Sequence, residues 1–109
     1  MIMKLIFAIV NNDDSVSVAA NLTAAGFSAT KLATTGGFLK AGNTTFIIGT
    51  QDDKVDDVLK IVEEHSRKRS KVMTSDKAGS PSGFPTMPVE VKVGGATVFI
   101  VNVDRFEKC

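Results

Sequence analysis

The sequence predicts an α+β fold in the order β-α-β-β-α-β with one extra strand at the end, the split βαβ or ferredoxin-like arrangement of two helices on one face of an antiparallel sheet. Three features predict it: apolar runs of strand length near both ends, an amphipathic helical stretch in the middle, and alternating segments divided by glycine-rich turns.

Leu5 to Val10, with Ile6, Phe7 and Ile9, is a continuous apolar run closed by Asn11, Asn12, Asp13 and Asp14. That is the pattern of a central strand covered on both faces. Asp13 or Asp14 is expected to cap a helix over Val16 to Ala25, where Val18, Leu22 and Ala25 recur at helical spacing and Gly26 stops the chain. Phe27 to Leu32 alternates like a strand with two different faces, and Thr44 to Gly49 is a β-branched and aromatic run. These two segments predict a hairpin whose irregular tip holds Gly36, Gly37 and Gly42.

Val55, Val58, Leu59 and Val62 fall at the i, i+3, i+4, i+7 positions of a second helix, acidic at its start and followed by Arg67, Lys68 and Arg69. Those basic residues, with Lys71, predict a solvated helix end. Ser75 to Pro88 holds Gly79, Gly83, Pro81, Pro85 and Pro88, so a long mobile loop is expected at about 70–88. Val89, Val91 and Val93 then alternate, Gly94-Gly95 turns the chain, and Ala96 to Val103 forms another apolar strand, which predicts a second hairpin.

Size and charge bound the function. A chain of 109 residues, 43% hydrophobic and 23% charged, can bury one core but not two, so 1–109 is expected to be a single domain. Its 13 basic and 12 acidic side chains leave a net charge of +1, with no global field to collect nucleic acid or an anionic membrane. The apolar start, Met1 to Val10, is far too short to span a bilayer. A cytoplasmic protein without nucleic-acid or membrane partners is expected. The single cysteine, Cys109, has no second thiol to pair with and reads as an exposed tail thiol.

An enzyme needs a proton acceptor held beside a nucleophile or a reactive carbon. The single histidine, His65, ends the second helix among Glu63, Glu64, Arg67 and Lys68, which is the setting of a solvated imidazole. No cluster has metal-ligand spacing, so neither catalysis nor a metal site is expected. The unusual stretch is Thr34 to Thr45. Its glycines let a backbone approach a ligand, its hydroxyls and Asn43 can read polar edges, and Phe38 offers a flat face. It lacks the GK[ST] of a Walker loop and the GxGxxG of a dinucleotide fingerprint. On residue types alone, a plain hairpin tip and a ligand loop account for it equally. Phe38 and Leu39 at such a tip would be bare in a monomer, which suits cover by a ligand, another subunit or both.

The strings Ala29-Thr30-Lys31-Leu32-Ala33-Thr34-Thr35-Gly36-Gly37-Phe38-Leu39, Ala41-Gly42-Asn43-Thr44-Thr45-Phe46, Pro88-Val89-Glu90-Val91 and Val93-Gly94-Gly95-Ala96-Thr97-Val98-Phe99 resemble the PII-like cyclic di-AMP receptors of Gram-positive bacteria, over almost the full length. The resemblance implies a PII-like homotrimer with nucleotide sites at the subunit clefts, a short loop after the second strand and a long one after the second helix. It implies that Thr30, Asn43 and Gly49 hydrogen-bond an adenine and the nearby phosphate, and that Gly37, Phe38 and Leu39 line the pocket. Ser28, Ala29, Gly94 and Phe99 complete the expected ligand set, with no cofactor beyond cyclic di-AMP itself. Where members commonly place an arginine against the ligand, this chain has Ser28, which supplies neither charge nor a stacking plane, and Lys40 likewise lacks a guanidinium. These departures bear on affinity and nucleotide identity rather than fold. The implied function is a messenger receptor whose loops change on binding and so regulate an unknown protein target. The alternative is a PII-like interaction subunit that senses another adenine nucleotide or none.

Overall fold

A computed structural model describes residues 2–32, 42–74 and 88–109, with only the backbone described over 71–74 and 88–93. The expected loop tip at 33–41 lies outside the described residues, as does 75–87 of the loop expected at about 70–88, whose ends at 70–74 and Pro88 belong instead to paired strands.

The elements run β1 (Met3–Asn11), α1 (Asn12–Ala24), β2 (Ala29–Leu32), β3 (Asn43–Gln51), a 3-10 turn (Asp52–Lys54), α2 (Val55–His65), β4 (Arg69–Thr74), β5 (Pro88–Val93) and β6 (Ala96–Val103). Strands β2-β3-β1-β6 form one four-stranded sheet, all pairs antiparallel, in the ferredoxin-like order with both helices on one face. The α+β expectation holds.

Because side chains alternate across a strand, register assigns the faces. Ile6, Ala8 and Val10 of β1 and Phe46 and Ile48 of β3 are buried against Val18 and Leu22 of α1 and Val55, Val58 and Val62 of α2. Each large aliphatic side chain removed from water here is worth about 1.5–3 kcal/mol. The helical spacing of α2 is borne out, with Leu59 packed at the margin of the core. In α1, Val18 and Leu22 face inward as expected, but Ala25 is its exposed C-cap. That helix starts earlier than expected because Asn11 caps it: Asn11 Oδ1 accepts from the Asp13 N–H at 2.9 Å.

Strand β1 is central, but not covered on both faces. Leu5, Phe7 and Ile9 are only half-buried, because the face opposite the helices carries no layer among the described residues. Phe7 pairs with Ile47 and with Phe99, and Leu5 with Val101, so one apolar row crosses the bare side.

The first hairpin is as expected, with Thr30 opposite Ile47 and Leu32 opposite Thr45. The second is not: β5 pairs with β4, from Arg69 opposite Val93 to Thr74 opposite Pro88, and β6 pairs with β1. Gly94 and Gly95 both take positive φ, 90° and 81°, and the Gly95 N–H bonds the Ser66 carbonyl rather than closing a turn. They carry the chain out of a two-stranded ribbon and into the main sheet. Pairing accounts for the choice, since β6 gains eight register partners along the central strand. Arg67 and Lys68 follow the helix exposed, as expected of a solvated helix end, but Arg69 begins β4 and pairs with Asp14.

Candidate functional site on the uncovered sheet face

The expected ligand residues on described strands distribute by register. Asn43 and Gly49 are odd-numbered residues of β3 and share a face; Thr30 pairs with Ile47 and joins them, and Phe99 lies on the same face through Phe7. That face is the uncovered one. Ala29 pairs with Ile48 and packs against the core, so only its backbone is left to meet a ligand. Gly37, Phe38 and Leu39 lie outside the described residues.

Two clefts bound this face. One, of about 570 Å3, is lined by Ser28 and Gly49 with Phe27, Gln51, Lys54 and Asp57. It is shaped by the end of α1, where the Phe27 N–H reaches the Leu22 carbonyl (2.9 Å) and the Gly26 N–H the Thr23 carbonyl (3.0 Å). This pair of bonds is a Schellman motif. Gly26 supplies its positive φ of 90°, and Phe27 packs on the core. The motif thus fixes where Ser28 enters β2.

The other cleft, of about 230 Å3, is lined by Asn43, Gly94 and Gly95 with Asn11, Lys68 and Thr97. Asn43 sits opposite Asn11 in register. Its flanks are pinned to α1: the Asn12 N–H donates to the Gly42 carbonyl at 2.8 Å, and the Thr44 hydroxyl donates to Asn12 Oδ1 at 2.5 Å. The polar cluster after β1 therefore does more than cap a helix. Nothing in sequence spacing singles out this role for Asn12, nor Lys68 as a cleft residue.

Beside this cleft the ribbon is tied to the body. Arg69 Nη2 and Nη1 donate to Asp14 Oδ1 at 2.7 Å and Oδ2 at 3.2 Å, and Nη1 also donates to the Arg67 carbonyl at 3.1 Å. The hydrogen bonds to Asp14 hold the guanidinium even more firmly protonated than a free arginine, outweighing the opposing desolvation. Stability drawn from this raised pKa is present throughout the ordinary pH range and is lost only as pH rises through the folded value, above arginine's own. Asp14→Asn keeps the shape and removes the charge from a side chain 8% exposed. Hydrogen exchange is expected to show the β4–β5 amides losing about tenfold protection while the four-stranded sheet keeps its own; equal protection in both variants would show that the pair does not anchor the ribbon.

The expectation of a solvated His65 is modified. The ring is half-buried, with Nδ1 3.2 Å from Ser17 Oγ and 3.4 Å from Asn21 Nδ2, so Nδ1 acts as acceptor in a bridge between the helices. Among the described residues no group of three or more His, Cys, Asp or Glu side chains is placed to hold a metal ion. No helix among them is long and apolar enough to cross a membrane. Cys109 is exposed, as its terminal position suggests.

Fold and surface together define a small ferredoxin-like domain with helices on one side and, among the described residues, a sheet without a second layer flanked by two clefts on the other. A family model described as the cyclic-di-AMP receptor matches residues 3–109, and the chain belongs to that family. Its fold is similar to the crystal structure of a functionally unknown protein from Pediococcus pentosaceus ATCC 25745, at 40% sequence identity over 100% of this chain and 99% of that one, with a TM-score of 0.77.

Proposed function

We propose that the protein is a non-enzymatic, cytoplasmic PII-like receptor that binds cyclic di-AMP at the subunit clefts of a homotrimer and regulates a protein partner through the resulting change in its loops. The observation that carries this reading is the gathering of Thr30, Asn43, Gly49 and Phe99, from three strands, on the uncovered sheet face. Ser28 stands at one end of that face and Gly94 at the other.

Asn43 and Gly49 are six residues apart along one strand, or about 20 Å. A ligand seated in one cleft of one chain leaves the other cleft unused. A site at a subunit junction, where the Asn43 end of one chain meets the Ser28 and Gly49 end of the next, uses both. The same junction covers Leu5, Phe7, Ile47 and Val101, which no second layer covers among the described residues. Gly37, Phe38 and Leu39 complete the pocket on the strength of the sequence resemblance. Uncharged donors and glycine backbone suit phosphates held by N–H groups, and each stacked base adds about 1–3 kcal/mol. Binding regulates a partner only if the ligand prefers one loop state, since equal affinity for both shifts nothing.

Calorimetry with cyclic di-AMP, cyclic di-GMP and ATP tests the reading. Cyclic di-AMP is expected to bind one site per subunit, at least about tenfold more tightly than the others, a difference of about 1.4 kcal/mol. Equal binding of all three would move the protein to the class of general nucleotide sensors. Binding of none would leave an interaction subunit without this ligand, a reading that Ser28 favours because its cleft has no guanidinium.

A further inference from the structure

Two adjacent threonines on β3 meet opposite fates. Thr44 is 5% exposed and spends its hydroxyl on Asn12. Thr45 is 3% exposed, and its Oγ1 is the one buried side-chain polar atom without a hydrogen-bond partner among the described residues. Its register neighbours, Ile9 on β1 and Leu32 on β2, have no side-chain polar atoms to offer. A buried hydroxyl with no partner carries a desolvation penalty that nothing repays. Valine would satisfy the same strand position and the same volume without that penalty. The hydroxyl therefore needs a partner that the described residues do not provide.

Its position says what that partner is. Thr45 lies on the sheet face opposite the helices, between Asn43 and Ile47 on the same side of β3 and one strand from Thr30, which shares that face. We infer that Thr45 is a further specificity-determining contact of the receptor site, its hydroxyl donating to a ring nitrogen of the adenine seated beside Asn43. The inference rests on the cyclic di-AMP reading above and adds a residue to it. A hydroxyl can donate to a purine ring nitrogen and still accept from an exocyclic amine, so it can read a base edge from either direction. Because the bond is missing in the free protein and made in the complex, it contributes wholly to the difference between the two states. That is the property a recognition contact needs.

Thr45→Val and Thr45→Ser separate recognition from structure. Thr45→Val is expected to weaken cyclic di-AMP binding in calorimetry by about tenfold, the value of one hydrogen bond, while the unliganded protein melts at or above the wild-type temperature. Thr45→Ser is expected to bind within about threefold of wild type, since it keeps the hydroxyl. Wild-type affinity in Thr45→Val overturns the inference and leaves the receptor reading standing. A lower melting temperature in unliganded Thr45→Val also overturns it, because the hydroxyl would then be bonded inside the protein. Absence of binding by the wild-type chain sinks the receptor reading itself, and this contact with it.

Discussion

Replacing Gly94 by alanine is expected to destabilise the protein by about 2–5 kcal/mol, enough to lower its melting temperature by 10 °C or more. Gly94 has a φ of 90°, which L side chains rarely adopt. A Cβ there would press on the Arg67 carbonyl oxygen, with Arg69 Nη1 at 2.8 Å and the Arg67 carbonyl carbon at 3.1 Å. The crowding is against backbone, which cannot turn aside as a side chain would. Relief requires the start of the ribbon at Arg67 and its end at Gly94 to move apart, so exchange of the ribbon amides is expected to accelerate before that of the sheet. A melting temperature within 2 °C or so of wild type would mean that this passage is looser than its geometry indicates.

The second large effect concerns the bare sheet. Phe7→Glu is expected to dissolve the assembly while leaving the fold. Phe7 sits at the centre of the apolar row, opposite Ile47 on one side and Phe99 on the other. Its half-exposure lets a carboxylate stay hydrated in the single subunit, whose core of Ile6, Leu22, Ile48 and Val58 lies beyond the other face of the sheet. At a subunit junction the same carboxylate would be stripped of water without a partner, costing several kcal/mol per subunit on top of the about 1.5–3 kcal/mol lost with the phenyl group. Sedimentation is expected to show a trimer for wild type and a monomer for the variant, with matching far-ultraviolet circular dichroism. A variant that sediments like wild type would remove this face from the assembly.

How much of this was legible in the sequence depends on whether the signal is local. Helix α2 was legible because Val55, Val58, Leu59 and Val62 state its period, and the β2–β3 hairpin because its strands are neighbours along the chain. The ribbon was not. Val89 to Val93, Gly94-Gly95 and Ala96 to Val103 look the same whether the glycines fold a hairpin or carry the chain between two sheets. The outcome is set by partners far away, β1 for one strand and β4 for the other. The Asp14–Arg69 pair is equally silent, since 55 residues separate its members. For the site, period two explains why Asn43 and Gly49 share a face, and register adds Thr30 and Phe99. The same alternation turns Ala29 inward, which the family resemblance alone does not reveal. Thr45 was invisible because a threonine in a strand is ordinary until its hydroxyl is seen to lack a partner.

The ribbon leaves the body at Gly94, which also lines the cleft holding Asn43. Strand β5 has six residues, giving an arm about 20 Å long that joins the body at two glycines and beside one ion pair. Turning such an oar by about ten degrees at its rowlock swings the far end by about 3.5 Å, roughly one residue of strand travel.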